Sequence, residues 1–317
     1  MNVIFLVLIL IVVTILYINS DAYEVNIMNY NKKCLCHDIS CRFYKNYTDI
    51  NKSNKHKIFI HITQEKNERN WSNFASRSSE EMNMDICLLC IESIITFCDN
   101  RYEIIIYTND DIGEIIPNDE LCNIKNPKML SGVDLKQWES YCKFKLLDLY
   151  GGVVMSPYFL FRAPPPETFF NPKALTICEM SNEGLQSTNL DIIPSFGNLM
   201  TSPKNDKTVS FYLDYFKHLC QNHYSEESEY FDKVYSKLDH VLNFPSELIG
   251  TSDAKGNPLY LEDLFSTEKL HLSTNNFCLF INIELLKRSI KYGWILKMSK
   301  SELKSSDMFF SNISRLE

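Results

Sequence analysis

Apolar and polar residues follow two different rhythms in the middle of the chain. Between Trp138 and Tyr150 the apolar positions recur at spacings of three and four residues, which predicts an amphipathic helix. Gly151 and Gly152 predict the end of that helix, because glycine adopts the left-handed cap conformation without steric cost. Residues 153–155 are continuously apolar, which is typical of a buried strand. The pattern therefore predicts a helix, a glycine corner and a buried strand.

The same rhythms predict further elements on both sides of this unit. Residues 57–64, 103–107 and 174–178 are predicted strands, and residues 80–98 and 208–220 are predicted helices. The predicted buried face of the last helix comprises Phe211, Tyr212, Tyr215, Phe216 and Leu219. Strands that alternate with helices are typical of an α/β fold. In open sheets of that kind, ligands bind at the carboxyl ends of the strands.

The central unit resembles the core of sugar-transfer enzymes with a DXD motif, in particular the capsular-polysaccharide-synthesis and mannosyltransferase-like group of GT-A fold. In that group a helix with Ser-Asp-x-x-Arg precedes Leu-x-x-x-Gly-Gly, two or three apolar residues and Asp-x-Asp. Leu147, Tyr150, Gly151 and Gly152 match this pattern. The resemblance implies a GT-A (Rossmann-like) mixed sheet flanked by helices, and a function related to nucleotide-sugar-dependent sugar transfer.

The polar positions of the motif depart from the family pattern. The helix aspartate and arginine fall on Ser140 and Lys143, and the two motif aspartates fall on Ser156 and Tyr158. In such enzymes the paired carboxylates hold Mn²⁺ or Mg²⁺ against the donor diphosphate, and hard cations prefer anionic oxygen ligands. A serine hydroxyl and a tyrosine ring do not replace two carboxylates. The sequence therefore predicts a retained scaffold, a lost metal site and no metal cofactor.

The resemblance also implies which residues meet the nucleotide sugar. Residues 57–64 resemble the family's opening Pro-Lys-Ile-Ile-His-Gln-x-Trp, where the end of the strand meets the nucleotide. The implied nucleotide-sugar-binding residues are His61, Thr63, Gln64, Lys143, Gly151, Gly152, Ser156 and Tyr158. For His61 the alternative is a strand-end histidine bonded to the backbone. Asn198 lies in a segment similar to the family's Asn-x-Phe-x-Ala-x-Pro-x-Gly-His, which implies a place on the acceptor side.

Transfer without a metal needs positive charge for the departing diphosphate and, with inversion, a base for the acceptor hydroxyl. The candidate cations are Lys143, Lys145, Lys287 and Arg288. The candidate bases are Glu179, Asp191 and Asp206, and the sequence does not choose among them. The catalytic residues therefore stay unassigned. Asp110 is a candidate for a ribose contact or for a helix cap.

The N-terminal sequence predicts attachment to a membrane. An apolar run begins at Val3 and ends at Ile18, and a helix of that length spans about 24 Å, somewhat less than a hydrocarbon core of about 30 Å. A cleaved signal peptide, with Ser20-Asp21-Ala22 as the cleavage site, is the alternative. The predicted domains are a transmembrane signal-anchor over 1–20, a stem over 21–55, a GT-A-like domain over 56–257 and a C-terminal extension packed on it over 258–317.

Two observations bear on the compartment of a single-pass protein of this kind. Resemblance to single-anchor sugar-transfer enzymes implies a lumenal, Golgi-like body, and Asn-x-Ser/Thr triplets at Asn46, Asn51, Asn70 and Asn312 are acceptors there. In an asparagine-rich chain such triplets also arise by chance. Residues 291–299 resemble a segment of large-DNA-virus members of the group, which makes a virion-associated body the alternative.

Three functions remain open. The chain is an active, metal-independent glycosyltransferase, a catalytically inactive pseudo-glycosyltransferase with a structural role, or a membrane-tethered interaction protein, for example of a virion. A nucleic-acid partner is not expected, because the net charge of −8 offers no basic face for phosphates. In the C-terminal extension, residues 270–272 and 277–281 are predicted strands.

Overall fold

The computed structural model describes separate parts of the chain, all within one of two compact units, residues 46–317. The described parts are residue 50 and residues 54–62, 85–98, 102–117, 130 with 132–178, 198–222 and 241–314. The predicted anchor and most of the predicted stem lie outside them, as do Thr63, Gln64, Glu179 and Asp191. Within the described parts, no helix is both long enough and apolar enough to cross a bilayer.

A six-stranded mixed sheet forms the centre of this unit, with the strand order β2-β1-β3-β6-β5-β7. Its strands are β1 (His56–His61), β2 (Tyr102–Tyr107), β3 (Gly152–Met155), β5 (Thr176–Cys178), β6 (Leu199–Ser202) and β7 (Leu242–Phe244). β1 is parallel to both of its neighbours, β2 and β3, whereas β6 is antiparallel to β3 and to β5. β7 is parallel to β5. The prediction of a mixed α/β sheet flanked by helices is confirmed.

Ten helices accompany the strands in the described residues. They are α1 (Asp85–Cys98), α2 (Ile112–Ile115), α3 (Gly132–Tyr150), α4 (Glu167–Phe170), α5 (Lys207–Asn222), α6 (Ser246–Ile249), α7 (Leu261–Leu264), α8 (Ile283–Arg288), α9 (Lys300–Ser305) and α10 (Phe309–Ser314). A 3₁₀ helix, Gly293–Lys297, lies between α8 and α9. The central helix, glycine corner and strand are present as α3, Gly151-Gly152 and β3.

The glycine corner is fixed by close backbone packing. Gly151 and Gly152 have φ values of 65° and 92°, a region that other residues rarely adopt. A Cβ atom on Gly152 would lie 2.4 Å from the carbonyl oxygen of Lys57 in β1, and one on Gly151 would lie 2.7 Å from the backbone nitrogen of Lys204. Only glycine therefore lets β3 start beside β1 at this spacing.

Helices α3 and α5 pack against each other through aromatic rings. The ring centroid of Phe144 lies 5.3 Å from those of Tyr212 and of Phe216. The predicted buried face of α5 is wrong at Phe211, whose side chain is 41% exposed. Val209, buried in its place, is on the face with Tyr212 and Phe216, and Phe211 lies about 100° around the helix from Tyr212.

The C-terminal part of the chain shares a core with the rest of the unit. Strand β4 (Phe159–Phe161) pairs with β8 (Cys278–Phe280) as a second, two-stranded antiparallel sheet. Around it lies an apolar group that we call the C-terminal cluster. Its buried members are Ile86, Leu89, Cys90, Leu160, Leu261, Leu264, Phe265, Leu279, Ile281, Leu286, Ile295, Leu296, Leu303, Met308 and Phe310. Residues 270–272, predicted as a strand, are not one: Leu270 and Leu272 pack against the cluster as irregular chain.

Candidate functional site

The carboxyl ends of β1, β2 and β3 form the edge where a ligand is expected. The chain passes from β1 to β2 on one side and then crosses to β3 on the other side of β1. Such a change of direction leaves a crevice beyond the strand ends in open α/β sheets. His61 ends β1, Tyr107 ends β2 and Ser156 follows β3.

A chain of side-chain hydrogen bonds joins the end of β1 to helix α3. His61 Nε2 lies 2.7 Å from Asn109 Oδ1, and Asn109 Nδ2 donates to Glu139 Oε1 at 2.9 Å. A carboxylate only accepts, so the amide nitrogen of Asn109 must face Glu139 and its oxygen must face His61. His61 Nε2 therefore carries the proton that it donates to Asn109. We call His61, Asn109 and Glu139, with Lys143 one helical turn beyond Glu139, the edge network.

The charges within the edge network follow from burial. Burial lowers the pKa of His61 to about 3; the positive charge of Lys143 lowers it as well, and the hydrogen bond to Asn109 opposes the shift. The imidazole is therefore neutral near pH 7 and acts as a hydrogen-bond donor, not as an acid-base group. Burial also lowers the pKa of Lys143, while the carboxylate of Glu139 raises it.

The ring of Tyr107 lies beneath this network and carries an orphan hydroxyl. It stacks on His61 with ring centroids 5.0 Å apart. Its hydroxyl is fully buried and has no hydrogen-bond partner among the described residues. Burial, followed by the charges of Cys142 and Glu139, raises the pKa of Tyr107 well above its usual value. Tyr107 is thus a neutral phenol that supports one face of His61.

In the turn after β3, neither the residue types nor their contacts are those of a metal-binding site. The backbone nitrogen of Tyr158 donates to Ser156 Oγ at 3.4 Å, and the carbonyl oxygen of Tyr158 accepts from Ile281. The Tyr158 side chain packs against the C-terminal cluster. The two motif positions thus belong to a turn held against the second sheet. The residues present do not fit the Mn²⁺ or Mg²⁺ of the resembled family.

No alternative metal site is visible in the described ranges. They contain no group of three or more His, Cys, Asp or Glu side chains placed to hold a metal ion.

The other residues implied by the resemblance divide between the two edges of the sheet. Asn198 lies at the carboxyl end of β3, where its carbonyl oxygen accepts from the backbone nitrogen of Ser156 at 2.7 Å. Gly151 and Gly152 lie at the amino end of β3, where Gly152 pairs with Ser202. The whole of β3 therefore separates the two glycines from Ser156, and their contact with a nucleotide sugar stays a prediction.

Several candidate charges have structural partners elsewhere. Lys145 pairs with Asp148 at 3.3 Å, and Lys287 pairs with Glu284 at 2.9 Å. Asp206, a candidate base, accepts from the backbone nitrogens of Thr208 and Val209 and so caps helix α5. Of the candidate cations, Lys143 is the one that lies in the edge network.

In the turn after β2, the side chain of Asp111 forms hydrogen bonds to Thr108. The carboxylate of Asp111 accepts from the backbone nitrogen and the hydroxyl of Thr108, at 2.8 and 2.7 Å. Asp111 also occupies the N-cap position of α2. Asp110, the residue considered for ribose or cap, is exposed.

Sequence reasoning missed Asn109 and Glu139. Asn109 stands beside Asp110 in the stretch 108–111, whose sequence predicts a turn and a helix cap. Glu139 stands one residue before Ser140, the position that matches the family's helix aspartate, and four before Lys143. An acid and a base at i and i+4 share one helix face, which was the available signal.

No family model matches this chain, and no curated protein matches it.

Proposed function

We propose that this protein is a membrane-anchored, glycosyltransferase-like protein that binds a nucleotide sugar at the carboxyl edge of β1–β3 without a divalent cation. The observation that carries the proposal is the edge network, which places a carboxylate, a carboxamide and a lysine at the switch point of a parallel strand trio.

The roles within the network follow from exposure. His61 is 6% exposed and serves as a positioning residue that orients Asn109. Asn109, Glu139 and Lys143 are partly exposed, so we expect a ligand beyond the strand ends to reach them. A carboxylate accepts hydrogen bonds from ribose hydroxyls or from a base N–H, and an amide both donates and accepts.

Lys143 supplies the charge for the diphosphate. A lysine in a desolvated setting interacts with phosphate more strongly than one in water, because the local dielectric constant is lower. Bound phosphate would in turn favour the charged lysine and offset the burial that lowers its pKa. This arrangement gives one cation in place of a metal ion.

A catalytically inactive binding protein is the second candidate. It is favoured by the turn at Ser156, because the position of the second motif aspartate is a tyrosine packed against the C-terminal cluster. Both candidates bind a nucleotide sugar, but only the active transferase turns it over.

Calorimetric titration of the full chain in detergent with UDP, GDP and their hexose conjugates tests the proposal. Lys143→Ala should weaken binding by roughly tenfold or more, the cost of one charge-assisted hydrogen bond. Lys145→Ala is the matched control, since Lys145 lies on the same helix and pairs with Asp148. Equal affinities for the two variants, or no binding by the wild type, would contradict the proposal.

Release of the nucleoside diphosphate from bound donor then separates the two candidates. Turnover supports an active transferase, and binding without turnover supports the inactive protein.

A further inference from the structure

A short segment near the C-terminus presents apolar and cationic side chains together on the surface. Arg288, Ile290, Lys291, Trp294 and Lys297 are all exposed, and we call these five the basic-apolar patch. Ile290 is 103% exposed and Trp294 is 53% exposed. Large apolar side chains with this exposure are few among the described residues, and these two lie four residues apart.

Buried neighbours and hydrogen bonds hold the segment that carries the patch in a defined conformation. Ile295 and Leu296, next to Trp294, are buried in the C-terminal cluster. The backbone nitrogen of Gly293 donates to the carbonyl oxygen of Ser289 at 2.9 Å. The indole Nε1 of Trp294 donates to the carbonyl oxygen of Lys291 at 2.9 Å. The indole therefore has its donor satisfied and can leave water without the cost of an unpaired N–H.

The charge of the patch is positive although the chain as a whole is acidic. Between Leu285 and Ser301 the sequence contains no Asp or Glu, whereas the net charge of the chain is −8. Two carboxylates act on lysines of this segment: Glu284 pairs with Lys287, and Glu262 acts on Lys291. Arg288 precedes the two apolar residues in the sequence and Lys297 follows them, and both add positive charge.

The size of the patch favours a lipid surface over a protein. A stable protein interface buries about 800 Å² on each partner, far more than one isoleucine and part of one indole provide. An interfacial membrane contact needs only a few apolar side chains and cations that attract anionic headgroups. Tryptophan is enriched at that depth of the bilayer.

We infer that the basic-apolar patch is a membrane-contact site that inserts Ile290 and Trp294 among anionic lipid headgroups. This contact is separate from the predicted anchor and does not depend on the proposed nucleotide site. Anionic lipids are concentrated in the cytoplasmic leaflet. The body then faces that leaflet, in place of the lumenal side that the resemblance implies.

Fluorescence quenching by brominated lipids tests this site in the full chain. The protein is reconstituted into vesicles of brominated phosphatidylcholine, with or without phosphatidylserine, and Trp294→Phe identifies the part of the emission that belongs to Trp294. We expect Trp294 to be quenched in phosphatidylserine vesicles, and we expect the quenching to fall as salt shortens the Debye length from about 30 Å at 0.01 M to about 8 Å at 0.15 M.

Two triple variants separate the patch from general surface charge. Arg288→Gln, Lys291→Gln and Lys297→Gln together should abolish the phosphatidylserine-dependent quenching. The same change at the exposed Lys204, Lys207 and Lys217 should leave it intact.

Absence of Trp294 quenching in phosphatidylserine vesicles would overturn the inference, as would equal loss in both triple variants. A spectral shift of Trp294 with polyglutamate but not with vesicles would also overturn it and assign the patch to an acidic protein.

Discussion

At the scale of single residues, a steric constraint fixes the amino end of β3, whereas burial and a hydrogen bond fix His61 at the carboxyl end of β1. Gly152 is required by a steric contact with Lys57. His61, at the other edge, is set by burial and by its hydrogen bond to Asn109. The diglycine could be predicted from the sequence because glycine has a local conformational signature. The His61–Asn109–Glu139 contacts could not, because they join residues 48 and 30 positions apart.

Gly152→Ala is expected to destabilise the fold strongly. The added Cβ atom would lie 2.4 Å from the Lys57 carbonyl oxygen, and the φ of 92° is strained for alanine. Backbone strain of about 1–2 kcal/mol and overpacking of about 1–3 kcal/mol together predict a loss of about 2–5 kcal/mol in the free energy of unfolding.

Gly256→Ala is the matched control in the same urea-unfolding experiment. Gly256 has a similar φ of 82°, but a Cβ atom there would meet nothing within 4 Å. It should cost only the backbone strain. Equal costs at both glycines would show that the contact with Lys57 is unimportant.

The lowered pKa of His61 predicts that the folded protein loses stability as the pH falls below neutrality. Its pKa falls from 6.5 in the unfolded chain to about 3 in the folded chain. The unfolded state therefore binds more protons between these values, so stability is full above about pH 6.5 and is lost as the pH falls towards 3. At about 1.4 kcal/mol per pKa unit, the full loss is roughly 4–5 kcal/mol.

Urea unfolding across that pH range checks this expectation, with His61→Gln as the comparison. The variant should lack the one-proton slope that His61 contributes, whatever its stability at pH 7. A wild-type slope retained in the variant would assign the acid sensitivity to other groups.

At the scale of elements, the sequence predicted the existence and order of the strands and helices better than it predicted which of their faces are buried. Periodicity located α3, β3 and α5, because each buries a regular apolar pattern. It misplaced Phe211, since two adjacent pairs of aromatic residues on α5, at 211–212 and 215–216, leave the exact direction of the buried face undetermined. It also made a strand of residues 270–272, where two leucines are only partly buried against the C-terminal cluster.

Phe144→Ala tests the packing of α3 on α5. Phe144 is fully buried between Tyr212 and Phe216, so its truncation should cost about 3–5 kcal/mol. Phe211→Ala, on the neighbouring exposed face, should cost less than about 1 kcal/mol. Thermal or urea unfolding measures both, and similar losses would mean that the face of α5 is assigned incorrectly.

At the scale of the whole molecule, the boundary at residue 257 does not mark a break in the core. β8 pairs with β4, and Lys300 forms an ion pair with Glu92 of α1. Composition made residues 258–317 look distinct, but composition does not reveal which strand an element pairs with. The same pairing is what holds the turn after β3, and with it Tyr158, against the C-terminal cluster.

A chain ending at residue 257 should therefore fail to fold cooperatively. It would lose the partner strand of β4 and expose Leu160 and part of α1. Circular dichroism during urea titration would show a broad transition in place of the sigmoidal transition of the full chain. A cooperative transition in the shortened chain would make the C-terminal segment a separate attachment.

The central claim is that nucleotide-sugar binding at the edge network needs no divalent cation. The most direct measurement is calorimetric binding of the nucleotide sugar to the full chain in EDTA, repeated with excess Mn²⁺. We expect the same dissociation constant in both conditions and a weaker one for Lys143→Ala. Binding that appears only with Mn²⁺ would contradict the account, because it would require a metal site where Ser156 and Tyr158 now stand.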